Sequence, residues 1–464
     1  MTDPTTLSAT AIALAIRSGE LGAEEVLAAT LARIEMENPR LNAIVACMED
    51  EARVTARAID SARIRGEDLP PMAGVPVTVK VNVDQAGHAT TNGLRLQSGL
   101  IAAEDNPVVS NLRRAGAVIV GRTNTPAFSL RWFTRNALHG QTLNPHDPAL
   151  TPGGSSGGAG AAVAAGLCAV AHGTDIAGSI RYPAYACGVH GLRPSLGRVP
   201  AFNATAGDRH IGGQLMAVSG PLARTIPDLA LALAAMSAPD LRDPWFTPVP
   251  LEGTSVPRRI ALLEAPDGLD TAPEVRAALH AAAAKLQDQG WEVDTPTPPP
   301  LREGLAVQIA LWMADMRRIE ATVLQEDDPD ARFIYDQFRR ISPALSADGL
   351  MDALRTRSRL VRLWRQFFAD WPLVLCPVSG AAPFPNNIDV QSSADFDRVI
   401  EAQLPQIVPP LMGLPGLAVT TDLSGPTPMG VQFLAAPFRE DLLLAAGQVV
   451  ALEVPPIRAK ATIA

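Results

Sequence analysis

Between Val75 and Val120 the chain alternates its structural signals in a way few architectures accept. Val75 to Val81 alternates around β-branched residues and reads as a strand, Asn106 to Ala115 carries a helical pattern, and Ala117 to Val120 reads as a buried strand. Strand, helix and strand in this order form the unit of a mostly parallel sheet. The same alternation returns at Ile260 to Leu263, Pro273 to Gln289 and Trp291 to Val293, and further strands are expected at Leu373 to Val378, Leu417 to Thr421 and Gly430 to Leu434. The expectation is therefore an α/β protein whose large mixed, mostly parallel sheet is covered by helices on both faces.

Amphipathic helices are expected before this core. Ser8 can cap one that runs through Ile16, and Ala23 to Glu37 places Leu27, Leu31 and Ile34 on one face before Pro39 stops it. Residues 302 to 370 are helix-rich, and the proline-rich Thr295 to Pro300 before them is the best subdomain seam. One domain over residues 1–464 is expected, with a helix-rich substrate-pocket subdomain at about 296–370. No internal repeat is present.

Composition narrows the partners. The net charge is −9 and no run of Lys and Arg could track a phosphate backbone, which argues against nucleic acid. Met1 to Thr10 lacks the basic start of a secretory signal, and the small apolar stretch Ala159 to Ala171 is too short to span a bilayer. Cys47, Cys168, Cys187 and Cys376 are widely spaced with no C-x-x-C pair, and read as buried small hydrophobes in a reducing, cytoplasmic setting. None of the seven histidines forms a metal-binding pattern with suitably placed acids, so no metal and no cofactor is expected.

Three segments carry the chemistry. The first, Gly74-Val-Pro-Val-Thr-Val-Lys80, ends an apolar strand on a lysine, although only Lys80, Lys285 and Lys460 of the 39 basic residues are lysines. A lysine there either snorkels to solvent or loses its proton, and a neutral lysine is a general base that arginine could never be. The second is Thr151-Pro-Gly-Gly-Ser-Ser-Gly-Gly-Ala159, with Gly157 to Ala171 expected as a helix behind it. It lacks the Gly-Lys of a phosphate loop and the preceding strand of a dinucleotide fingerprint, which leaves a tight turn presenting the Ser155 and Ser156 hydroxyls at a helix N-terminus. The third, Gly173 to Ala184, contains Gly178-Ser179-Ile180, which is not a G-x-S-x-G elbow; no Ser-x-x-Lys element exists either. His172 and His190 flank Ser179, so a Ser–His pair stays open.

Taken together these segments resemble the amidase signature family, and the likeness continues through Gly220-Pro-Leu-Ala-Arg-Thr225 and Met412-Gly-Leu-Pro-Gly416 to Phe438-Arg-Glu440. The resemblance implies a Ser-cisSer-Lys triad with Lys80 as base, Ser155 as relay after a cis peptide from Gly154, and Ser179 as nucleophile. It implies an oxyanion hole from the N–H groups of Ile176, Ala177, Gly178 and Ser179, and an amidase working through an acyl-enzyme on a small-molecule amide, often as a homodimer. Gly154, Ser156, Asp175 and Arg181 are expected to support the site, Arg181 either by pairing with Asp175 or by touching substrate. Two departures stand out: Val81 replaces the usual Asp after the lysine, leaving Asn82 and Asp84 to support the site, and Ala177 replaces a glycine. Trp132 and Phe133, with Trp312 and Phe338, are candidate walls for an apolar or aromatic acyl group, although aromatics on helices are more often core. Carbamate, ureide or ester hydrolysis, the glutamine-hydrolysing role in a tRNA amidotransferase, and a binding protein without chemistry stay as alternatives.

Overall fold

The computed structural model describes residues 3–457; Met1 and Thr2 of the segment read for a leader, and Lys460, lie outside them. The strands are β1 (Ile44–Cys47), β2 (Pro76–Lys80), β3 (Val118–Thr123), β4 (Arg135–Asn136), β5 (Gly140–Gln141), β6 (Val170–Asp175), β7 (His190–Arg193), β8 (Val218–Ala223), β9 (Arg259–Leu262), β10 (Glu292–Asp294), β11 (Leu373–Pro377), β12 (Gly416–Asp422) and β13 (Met429–Ala435). Eleven of them form one sheet in the order β1-β3-β2-β6-β8-β7-β12-β13-β11-β9-β10, while β4 and β5 pair apart.

The sheet is mixed, as expected, but it is not mostly parallel. Parallel pairing joins β2 to β3 and β6, and β9 to β10 and β11, whereas every other neighbour pair is antiparallel. The antiparallel centre is built from strands that carry glycine or proline, such as Val218-Ser-Gly-Pro-Leu-Ala223, which periodicity alone does not mark. Helices surround the sheet, and among the described residues no helix is long and apolar enough to cross a membrane.

Local chemistry explains most element ends. The Ser8 hydroxyl accepts from the Ala11 N–H at 3.1 Å and starts helix Ala9–Ser18. The Asn106 side chain accepts from the Val108 N–H and starts helix Pro107–Arg114, which links β2 to β3. Pro39 does not end its helix, which runs Ala23–Leu41: a proline in the last turn removes only one hydrogen bond, and fully buried Leu41 holds that turn until Asn42 adopts φ +48°. The helix after the paired serines is shorter than expected, Gly157–Ala164, because Gly166 at φ +71° breaks it and the chain enters β6. Cys168, Cys187 and Cys376 are buried, but Cys47 is exposed at the sheet edge, against expectation.

Candidate active site

β2 and β6 lie side by side and run parallel, so their C-terminal ends meet, the usual place for a site in an α/β sheet. Lys80 closes β2, whose five residues are all buried. Its Nζ lies 2.7 Å from the Ser155 Oγ, 3.1 Å from the Ser156 Oγ and 3.0 Å from the Thr174 Oγ1. All three partners are uncharged hydroxyls. Burial therefore drives the lysine pKa well below its ordinary value, and the more distant Asp175 carboxylate offsets this only in part. Asn82, left to stand in for the missing aspartate, donates to the Thr174 Oγ1 at 2.9 Å and so braces a partner of Lys80. Asp84 instead binds Thr90 and Thr205, away from the lysine.

The paired serines follow a Gly154–Ser155 peptide that is cis. Their turn is pressed against the rest of the site: a Cβ on Gly154 would lie 2.5 Å from the Arg131 carbonyl oxygen, so only glycine fits. The Ser156 N–H donates to the Ser179 carbonyl at 3.2 Å and ties this turn to the next one. Ser155 and Ser179 both border a cavity of about 660 Å³, next to Thr174, Asp175 and Ile176. Among the described residues no hydrogen bond joins the two hydroxyls directly.

The turn after β6 is organised by Asp175. Its carboxylate receives the Gly178 N–H at 2.7 Å, the Ile180 N–H at 3.2 Å and two nitrogens of Arg181 at 2.9 and 3.1 Å. Burial pushes this carboxyl up, but Arg181 and Arg193 outweigh it and hold the pKa down at about 2. Arg181 is fully buried and also binds Gln432 and the Gln406 carbonyl, so it pairs with Asp175 and does not border the cavity. The Gly178 N–H is committed to Asp175; the Ile176, Ala177 and Ser179 N–H groups find no protein acceptor among the described residues.

Neither histidine serves Ser179. His172 contacts the Ser219 hydroxyl and the Lys80 N–H, and His190 contacts the Leu452 carbonyl and the Thr420 N–H. Burial holds both neutral, at about 3 for His172, where the Arg122 charge adds to the effect, and about 4 for His190.

The cavity wall differs from the expected one. Trp312 borders it, whereas Trp132, Phe133 and Phe338 do not. Phe338 stacks among Trp132, Trp312 and Phe396, and Phe133 packs on Phe384, which makes these three rings core. The arginines beside them explain why: Arg131 is buried against Asp389, and Arg135 pairs with Asp330, so segment 131–135 anchors helix Pro329–Ile341 instead of facing a ligand. The apolar wall comes from Val83, Phe128, Ile176, Phe202, Trp245 and Trp312, with Arg209 and Arg242 among the polar groups. Phe128 lies in the 3-10 turn Ala127–Ser129 and Phe202 and Trp245 lie in loops, and the convergence of these segments has no sequence signature. Gln308, which donates to the Ile176 carbonyl at 3.1 Å, was also missed; a lone polar residue in the buried stripe of Ile309, Leu311 and Trp312 was the available signal.

A protein-family model described as Amidase matches residues 25–444. The chain belongs to the amidase signature family. It is a hydrolase acting on amide C–N bonds, and its relatives include amide hydrolases and an amidotransferase subunit. The indoleacetamide hydrolase of Bradyrhizobium diazoefficiens is 41% identical over 458 residues, spanning 96% of this chain and 86% of that protein. A glutamyl-tRNA(Gln) amidotransferase chain from a Synechococcus species (strain CC9311) is 33% identical, spanning 92% of this chain and 93% of the other. The solved structure of a bacterial aryl acylamidase of the amidase signature family superposes with a TM-score of 0.84 at 26% identity, spanning 96% and 95% of the two chains.

Proposed function

We propose that this amidase hydrolyses the carboxamide of a small arylacetamide-like substrate through an acyl-enzyme on Ser179. The observation that carries this reading is the fully buried Lys80 amine, 2.7 Å from the Oγ of Ser155, a residue that borders the same cavity as Ser179. An uncharged amine so placed is a base, and of the three hydroxyls around it the Ser155 Oγ is the nearest, at 2.7 Å. The Ser179 oxygen attacks the amide carbon as its proton passes to the Ser155 oxygen, and the Ser155 proton passes to Lys80. When the tetrahedral intermediate collapses, the C–N bond breaks and the leaving nitrogen takes a proton from Ser155, which is resupplied by Lys80. Water then attacks the ester by the same relay in reverse and releases the acid. The gap between the two serine hydroxyls fits a site that tightens when substrate fills it.

The oxyanion hole is assigned to the N–H groups of Ile176, Ala177 and Ser179, which have no competing acceptor among the described residues, while the Gly178 N–H is engaged by Asp175. One well-placed donor of this kind is worth about 3 kcal/mol of barrier. The acyl preference follows from Phe128, Phe202, Trp245 and Trp312, and from the activity named for the indoleacetamide relative. Glutamine, the substrate of the amidotransferase reading, would bring an ammonium and a carboxylate beside these rings, and each would need a charged partner among Asp208, Arg209 and Arg242 to offset its lost hydration, which an arylacetamide does not. Hydrolysis of an arylacetamide, an anilide, a carbamate, an ester and glutamine by the purified chain and by Ser179→Ala is the test. Fastest turnover of the arylacetamide, lost in Ser179→Ala together with fluorophosphonate labelling, is the expected result; glutamine as the best substrate, or retained turnover in the variant, refutes it.

A further inference from the structure

The loop from Asp175 to Ser179 is fastened by its carbonyl oxygens. The Asp175 carbonyl accepts from Arg193, the Ile176 carbonyl from the Gln308 Nε2 at 3.1 Å, the Ala177 carbonyl from the Trp132 Nε1 at 2.8 Å, and the Gly178 carbonyl from the Tyr182 N–H at 2.8 Å. None of these four donors borders the cavity, whereas Ile176 and Ser179 do. A trans peptide is planar, with its N–H opposed to its C=O, so a donor that holds one carbonyl also aims the next N–H in the other direction. Gln308 thereby sets the Ala177 N–H and Trp132 sets the Gly178 N–H.

Two of these donors are side chains that reach the loop from far along the chain and make no other hydrogen bond among the described residues. Trp132 has a single donor and spends it on Ala177. Its ring is buried and packs on Phe338, with centroids 6.3 Å apart. Gln308 is fully buried on helix Arg302–Arg318, and its Oε1 has no partner among the described residues. An apolar residue would satisfy that helix face at lower cost, because an unpaired buried amide oxygen is destabilising. Its one side-chain hydrogen bond among the described residues goes to the Ile176 carbonyl, and one turn later Trp312 borders the cavity.

We infer that Trp132 and Gln308 are positioning residues for the oxyanion hole, which fix the direction of the Ala177 and Gly178 N–H groups by gripping the carbonyls on the reverse side. Neither touches the substrate. The inference rests on the acyl-enzyme reading above, and it changes the role of Trp132 from pocket wall to brace. Gln308 governs an N–H that is free for the oxyanion, while Trp132 governs one that is already bound to Asp175 and keeps it there. Gln308 thus acts on a donor where negative charge develops, while Trp132 acts one step removed, by keeping the Gly178 N–H on Asp175 and so holding the loop that carries the other donors; both therefore affect the transition state more than bound substrate.

The experiment uses Trp132→Phe, which keeps a ring and deletes the donor, and Gln308→Met, which keeps the bulk. For each variant kcat, KM, the affinity for phenylboronic acid and the affinity for the carboxylate product are measured, with thermal unfolding as the check on folding. The boronic acid adds to the nucleophile as a tetrahedral anion and reports the oxyanion hole; the product does not. Loss of one such hydrogen bond is expected to lower kcat about tenfold, with KM and product affinity within about twofold and boronate affinity reduced by the same factor as kcat. The pH at which activity is half-maximal stays in place, since Lys80 is untouched. Folded variants with unchanged kcat and boronate affinity overturn the proposal, as does an equal loss of product and boronate affinity, which would return these residues to a wall or packing role. Failure of the wild type to bind the boronic acid, with Ser179→Ala still active, would instead identify the acyl-enzyme reading as the error and remove the proposal with it. Because the two residues sit on separate elements, a folding defect in one leaves the other as a complete test.

Discussion

Replacing Lys80 with methionine separates the chemistry from the fold. Methionine keeps the length and the apolar stem, and it loses the three contacts of Nζ with Ser155, Ser156 and Thr174. At about 1 kcal/mol net per hydrogen bond, their loss destabilises Lys80→Met by about 3 kcal/mol. An opposing contribution comes from the proton. If the buried amine is neutral at pH 8, the fold holds off a proton that the unfolded chain binds up to a pKa of about 10.4, which costs the wild type about 3 kcal/mol. The two nearly cancel, so at pH 8 the variant is about as stable as the wild type. The folded pKa is lowered, so the unfolded state binds more protons between that value and about 10.4, and wild-type stability rises with pH through this window. By pH 9.5 the protonation cost falls to about 1 kcal/mol, and the variant becomes the less stable by about 2 kcal/mol. Activity behaves differently: without its base the enzyme loses at least 10²- to 10⁴-fold in kcat, roughly the range of general-base catalysis, at every pH. Urea unfolding at pH 8 and 9.5, beside the hydrolysis rate, tests both parts. A stability difference that does not change between the two pH values means that the lysine is charged in the fold, and turnover within about tenfold of wild type means that it is not the base; either result refutes the reasoning.

Trp312→Ala removes an aromatic wall and is expected to lower kcat/KM for an arylacetamide about 10- to 100-fold while leaving acetamide or propionamide within about threefold, as initial rates on both will show. Gly178→Ala places a Cβ 2.6 Å from the Gln406 Cβ at φ +100°, so it is expected to destabilise the fold by about 2 kcal/mol or more and to abolish turnover; a normal unfolding midpoint would contradict this. His172 and His190 are buried neutral with pKa values of about 3 and 4, below the unfolded value of about 6.5, so the unfolded state binds more protons below pH 6.5 and stability falls as the solution is acidified. On the order of 2 kcal/mol per histidine is lost by pH 5, and a denaturation free energy that is flat from pH 7 to 5 would count against it.

The segments that meet at the candidate site were legible because they are short and only a few residue types work in them. An apolar strand ending on a rare lysine, a serine pair wedged among glycines and a Gly-Ser turn are local patterns, and the structure brings Lys80, Ser155, Ser156 and Ser179 to one place. The unit from β2 through helix Pro107–Arg114 to β3 was legible because its periodicities change where its elements change. The pocket was not, because a hydrophobic ring has the same sequence signature in a core and on a cavity wall. Phe338 and Trp312 lie 5.2 Å apart, yet only Trp312 borders the cavity. The direction of the sheet was misjudged for a related reason: the antiparallel returns run through β7, β8, β12 and β13, and strand polarity is set by which strands become neighbours, which no single segment records.

The groups proposed to handle protons hang from the ends of two adjacent strands and from one turn tied to them, whereas the rings proposed to face the acyl group come from elsewhere: Phe128 from a short 3-10 turn, Phe202 and Trp245 from loops, Trp312 from a helix beyond the sheet. Reaction and selectivity thus have separate anchorage. Substitutions that reshape the acyl side can accumulate without moving the relay, so an engineer seeking a new amide has reason to randomise Phe202, Trp245 and Trp312 and to leave β2 and β6 alone.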